Sequence, residues 1–147
     1  MEKDRDPGLR TSVPAQPSQL RKVRRLVAGF ATRAGANASQ VEVITLAVHE
    51  ACASIARHED SSGRRELHLQ AAPQGDYVQF VVSDNGTPAA DPHAGPGAEL
   101  ALQAMRDLAD DCDIEGPGPY GTRIRLTFSL RSGNVEHREL PDFPSLP

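Results

Sequence analysis

Leu20, Val23, Leu26, Val27, Phe30, Ala31 and Ala34 recur at steps of three and four, the spacing that gathers apolar side chains on one stripe of an α-helix. Pro17 and Ser18 offer that helix a start and Gly35 a stop. A second stripe follows in Val41, Ile44, Val48, Ala51 and Ile55. Its start lies between Asn37 and Ser39, and Ser39-Gln40-Val41-Glu42 fits a capping box, in which hydroxyl and carboxylate satisfy each other's free backbone donors. The spacing predicts that this helix ends near residues 58–60. The period then falls to two. Residues 66–71 alternate as a half-buried strand does, Gln74-Gly75-Asp76 makes a tight turn, and residues 77–83 form the strongest strand pattern, so the two runs pair as an antiparallel hairpin.

Residues 84–97 are rich in Gly, Pro, Asp and Asn and read as a long irregular loop of the kind that serves as a lid or binding loop. Helical spacing returns over residues 98–110, with Leu100 or Ala101, Ala104, Met105 and Leu108 inward. Residues 112–115 make a short strand, Gly116-Pro117-Gly118-Pro119 turns the chain, and residues 121–130 alternate as a strand. Residues 9–14, ended by Pro14, fit an edge strand. In order this is strand, two helices, hairpin, loop, helix, hairpin. The fold class is α+β: a two-layer sandwich, mostly antiparallel sheet with helices on one face.

The second helix also carries a polar stripe. Glu50, Ser54 and His58 follow at intervals of four beside the core-facing residues. They form either one wall of a polar site or the solvated side of an ordinary helix. His58, near a helix C-terminus, suits the helix dipole better than catalysis.

Composition narrows the rest. The chain has 147 residues, enough for one domain. With 4% aromatic residues and no Trp, the core is expected to be built from Ala, Val, Leu and Ile. A net charge of −4 argues against binding nucleic acid through bulk electrostatics. Yet Arg21, Lys22, Arg24, Arg25 and Arg33 cluster on the first helix, as a solvated face or as a docking surface for an acidic partner. Cys52 and Cys112 fit no disulfide framework or metal pattern and read as small hydrophobes. There is no apolar core of signal-peptide length and no bilayer-spanning run, so a cytoplasmic protein free of the membrane is expected. Residues 1–8 are expected to be disordered, 9–130 to form the domain and 131–147 to be a flexible tail.

Three stretches carry a resemblance: Leu46-Ala47-Val48, Glu50-Ala51 and His58; Val82-Ser83-Asp84-Asn85-Gly86-Thr87-Pro88 with Asp91-Pro92; and Leu108-Ala109-Asp110 leading through Ile114 to residues 121–126. Their order and spacing resemble the ATP-binding domain of gyrase and sensor histidine kinases, the Bergerat fold. Within it they are most similar to the stand-alone anti-sigma factor serine kinases. The resemblance covers about residues 9–130. It implies ATP as ligand, magnesium as its companion ion, and transfer of phosphate to a serine of an anti-anti-sigma, STAS-type partner, which controls release of a sigma factor. It also implies a homodimer, with the N-terminal strand and first helix as an interface.

Carried over by residue, the resemblance makes Glu50 the general base for the serine hydroxyl. Asp84 becomes the acceptor for the adenine amino group, Gly86 the small residue beside the base, and Thr122 a hydroxyl that helps hold it. Gly95 and Gly97 are the lid glycines whose amides meet phosphate. Two departures stand out. Ser54 replaces the asparagine whose amide oxygen ligates magnesium, and a hydroxyl is a weaker ligand for a hard cation. Pro96 replaces the arginine between the lid glycines, which also lie about four residues early. The alternative implied is a regulator of the same fold that is catalytically impaired and acts by partner binding.

Overall fold

The structure is a computed structural model that describes residues 8–56, 65–84, 96–118 and 121–131. Alternating side chains build its sheet. In β2 (Glu66–Gln74) Leu67, Leu69 and Ala71 are buried, while Glu66, Gln70 and Ala72 are exposed. In β3 (Tyr77–Asp84) Val78, Phe80 and Val82 are buried, and in β5 (Gly121–Ser129) Ile124, Leu126 and Phe128 are. With β1 (Leu9–Pro14) and β4 (Asp111–Gly118) these strands form one sheet in the order β1-β2-β3-β5-β4, every neighbouring pair antiparallel. Three helices, α1 (Leu20–Arg33), α2 (Ala38–Ala56) and α3 (Pro96–Leu108), pack with α2 between its neighbours and against the central strands. The α+β two-layer arrangement is the one expected.

Helix ends follow from local chemistry. At the end of α1, Gly35 takes φ +108°, which side chains resist. Gly35 N–H donates to the Thr32 carbonyl and Ala36 N–H to the Ala31 carbonyl, the paired bonds that satisfy a helix's last acceptors. At the start of α2 the reciprocal box is not Ser39 with Glu42 but Asn37 with Gln40. Gln40 N–H donates to Asn37 Oδ1 and Asn37 N–H to Gln40 Oε1, both at 2.8 Å. The Asn37 amide wins because it stands immediately before the first helical residue, where the free donors are.

The interior corrects a second expectation. Aliphatic side chains fill most of it, but its centre is aromatic. Phe30 meets Phe80 edge-on at 5.7 Å between ring centres, and Phe80 meets Phe128 at 5.9 Å. Three of four phenylalanines join helix and sheet in one column. Ala101 and Met105 point inward on α3, while Leu100 is 73% exposed. Gly116 to Gly118 continue β4, with a register irregularity between Glu115 and Gly118, instead of turning the chain. Helix α3 begins at Pro96, two residues before the expected start; proline suits a first helical position because the N–H it lacks has no intrahelical partner there. The expected disordered N-terminus, His58, most of the 84–97 loop and most of the tail lie outside the described residues. Among the described residues no helix is long and apolar enough to cross a membrane.

Candidate functional site

Asp84 closes β3 one step beyond the Ser83–Arg123 pair. Its carboxylate therefore meets the start of β5, and Oδ1 accepts the backbone N–H of Thr122 at 3.0 Å. Thr122 is 5% exposed. Two residues that the sequence sets 38 positions apart thus form one edge.

A third residue completes that edge. The Arg65 guanidinium lies beside the same carboxylate, with Nε 3.6 Å from Oδ2, and the two side chains are 4% and 9% exposed. Buried charges persist when paired in this way. Arg65 Nη2 also donates to the carbonyl of Ile55 in the last turn of α2, and its own carbonyl accepts the N–H of Ala15. No sequence motif singles out Arg65. A signal existed: 65 continues the inward parity of 67, 69 and 71, and a charge on the core side of a strand requires a partner.

The Ile55 contact brings the last turn of α2 to the same region. Ser54, the preceding residue, is buried at 5% exposure, and Glu50 is half-buried one turn earlier. His49 turns the other way, where its Nδ1 receives Arg24 Nη1 of α1 at 3.2 Å. Burial, and then the Arg24 charge, lower the His49 pKa, while Glu50 opposes them. This is consistent with a neutral imidazole accepting from a cation. Gly86 and Gly95 lie outside the described residues. Gly97 falls in the first turn of α3.

The donor set can be tested against the expected ligands. A buried carboxylate fixed by an N–H, with a threonine alongside, fits an amine-bearing heterocycle: carboxylate oxygens retain lone pairs after one bond. The Ser54 hydroxyl is itself a weak ligand for a hard cation. A buried hydroxyl stands where an amide or carboxylate oxygen would serve. Among the described residues, no group of three or more His, Cys, Asp or Glu is placed to hold a metal.

Comparison with known proteins agrees with the expected family. The profile of the histidine kinase-like ATPase domain matches residues 13–128. The chain is 26% identical over 143 residues to the serine-protein kinase RsbW of Bacillus subtilis, covering 85% of this chain and 87% of that one. It is 23% identical over 141 residues to RsbW of Bacillus velezensis, with the same coverage. Among solved structures, the RsbU and RsbW domains of Rv1364c from Mycobacterium tuberculosis superpose with a TM-score of 0.66 at 23% identity, over 85% of this chain and 32% of that one. The blue-light activated histidine kinase EL346 of Erythrobacter litoralis gives 0.53 at 16% identity, over 76% and 44%. These two likenesses are of fold.

Proposed function

Because the chain belongs to the histidine kinase-like ATPase domain family, we propose that it is an anti-sigma-type regulator that holds an adenine nucleotide at Asp84 and works by exchanging protein partners. The observation that carries this reading is the Asp84–Thr122 edge: a buried acceptor fixed by an N–H donor, suited to the exocyclic amine of adenine. Thr122 adds a hydroxyl beside it. The similarity to RsbW kinases over most of both chains supports the anti-sigma role. In this reading the partners are a sigma factor and an anti-anti-sigma, STAS-type protein.

The surface supports protein partners. Helix α1 carries five exposed cations, Arg21, Lys22, Arg24, Arg25 and Arg33, and no acidic residue. Beside it, α2 presents Leu46 at 50% and Val43 at 36% exposure. Apolar side chains framed by cations suit an acidic partner. Strand β1 lies at one sheet edge, where the open side of its backbone can pair with a second copy; a homodimer through β1 and α1 belongs to the same proposal.

A second reading is phosphorylation of a serine on the anti-anti-sigma partner, with Glu50 taking the hydroxyl proton. Its support is a half-buried carboxylate one turn from Ser54 on α2. The hydroxyl of Ser54, a weaker cation ligand than an amide oxygen, weighs against it, since phosphoryl transfer depends on charge neutralisation at the phosphates. ATP titrations with and without magnesium, followed by a transfer assay on a cognate anti-anti-sigma domain, separate the two. Magnesium-independent binding with no transfer supports the partner-exchange reading, whereas magnesium-dependent transfer that Glu50→Gln abolishes supports the kinase.

A further inference from the structure

The Asp84 carboxylate is engaged on both oxygens before any ligand arrives. Oδ1 accepts the Thr122 N–H, and Oδ2 faces the Arg65 guanidinium within an element-to-element joint that is almost fully buried. We propose that Arg65 is a built-in occupant of the base site, a latch that an adenine nucleotide must displace from Asp84 in order to bind. The inference rests on the base-site reading of Asp84 above.

The energetics favour a closed latch at rest. A buried carboxylate beside a guanidinium has its charge compensated; the amino group of adenine is neutral and supplies one hydrogen bond. Exchanging the cation for the amine therefore opposes binding. The observed affinity equals the intrinsic one multiplied by the fraction of molecules in which the latch is open.

The latch also reaches beyond the base. Arg65 grips the Ile55 carbonyl, an acceptor in the last turn of α2. The same turn carries Ser54, and the turn before it Glu50. Moving Arg65 off Asp84 disturbs this grip, so base occupancy is felt at the helix that bears the rest of the polar stripe. Because the Arg65 carbonyl is held by Ala15, its backbone stays anchored while the side chain moves. Arg65 is thus a positioning residue that couples β2, β3 and α2, and its removal is expected to weaken the fold while strengthening nucleotide binding. A structural role alone moves both in the same direction.

The test is a calorimetric titration of the full chain with ADP, comparing wild type with Arg65→Gln and Arg65→Met, each checked for native circular dichroism and for its melting temperature. The expected result is a lower melting temperature in both variants together with ADP binding tightened about tenfold or more. Arg65→Met fills the space with an apolar chain and keeps the test open if Arg65→Gln fails to fold. Asp84→Asn added to the Arg65 variant is expected to erase the gain. Affinity equal to or below wild type in the folded variants overturns the latch; if Asp84→Asn alone still weakens wild-type binding, the base site itself stands. A gain that survives Asp84→Asn overturns both, because the base then binds elsewhere.

Discussion

Thr122 donates its backbone N–H to Asp84 Oδ1 at 3.0 Å while Arg65 faces Oδ2 at 3.6 Å, so one buried carboxylate ties β5 to β3 and to the start of β2. Asparagine at this position can still accept from Thr122 but leaves the Arg65 cation uncompensated. Asp84→Asn should therefore lower unfolding stability by about 3 kcal/mol, the scale for breaking a buried pair from one side. Urea denaturation followed by circular dichroism reads this directly. A loss under about 0.5 kcal/mol, typical of surface sites, would show that the pair contributes little.

Phe80 is the hinge of the aromatic column, fully buried and edge-on to both Phe30 and Phe128. Phe80→Ala should cost about 3–5 kcal/mol, from lost transfer energy and the cavity left behind. Phe80→Leu should recover more than half of that loss, because it refills most of the volume. Equal losses for both variants would point to backbone rearrangement instead of packing.

Burial pushes the Cys52 thiol up from 9.0 to about 12. The folded chain therefore holds this proton where the unfolded chain releases it. Stability from this group is present in full below pH 9 and falls between pH 9 and pH 12, by about 1.4 kcal/mol per pH unit. His49 acts at the other end: its lowered pKa means the unfolded chain takes up a proton first, so stability falls as pH drops below 6.5. Cys52→Ala should flatten the alkaline limb of a melting-temperature profile. A thiol reagent at pH 8 should modify the half-buried Cys112 ahead of the fully buried Cys52.

Ser54 stands where the amide that ligates magnesium is expected. If that ligand alone is missing, Ser54→Asn should make ATP binding magnesium-dependent, tightening it about tenfold in the presence of the ion. The measurement is a pair of ATP titrations of the variant, with magnesium and with a chelator. Equal affinities in the two would place the defect elsewhere at the phosphate end.

Much of the fold was legible because its periods are clean. Leu67, Leu69 and Ala71 alternate in one strand, Val78, Phe80 and Val82 in the next, and the turn between them contains Gly75, whose φ of +64° suits a residue without a side chain. Helix α1 was as plain, with its stripe bounded by Pro17 and Gly35. The less legible features depend on neighbours distant in sequence or on competing local rules. Two capping motifs overlap at the start of α2, and position relative to the first helical residue decided for Asn37 over Ser39. Leu100 and Ala101 are adjacent on α3, so the spacing admits either as the inward residue, and only the packing decides for the smaller one. Nothing local marks Arg65, because a charge beside a turn is normally solvated. Its burial follows from Asp84, nineteen positions away, and from Ile55 on another element. Of the candidate site, motif order points to the carboxylate and its strand partner, which the fold brings together, but not to the cation beside them.

The central claim is that Asp84 recognises an adenine base. Calorimetric titration of the folded full chain with ATP, in wild type and Asp84→Asn and with and without magnesium, tests it most directly. The account predicts saturable wild-type binding that changes little with magnesium and is weakened at least about tenfold by Asp84→Asn. Binding of equal strength in the two proteins would contradict it.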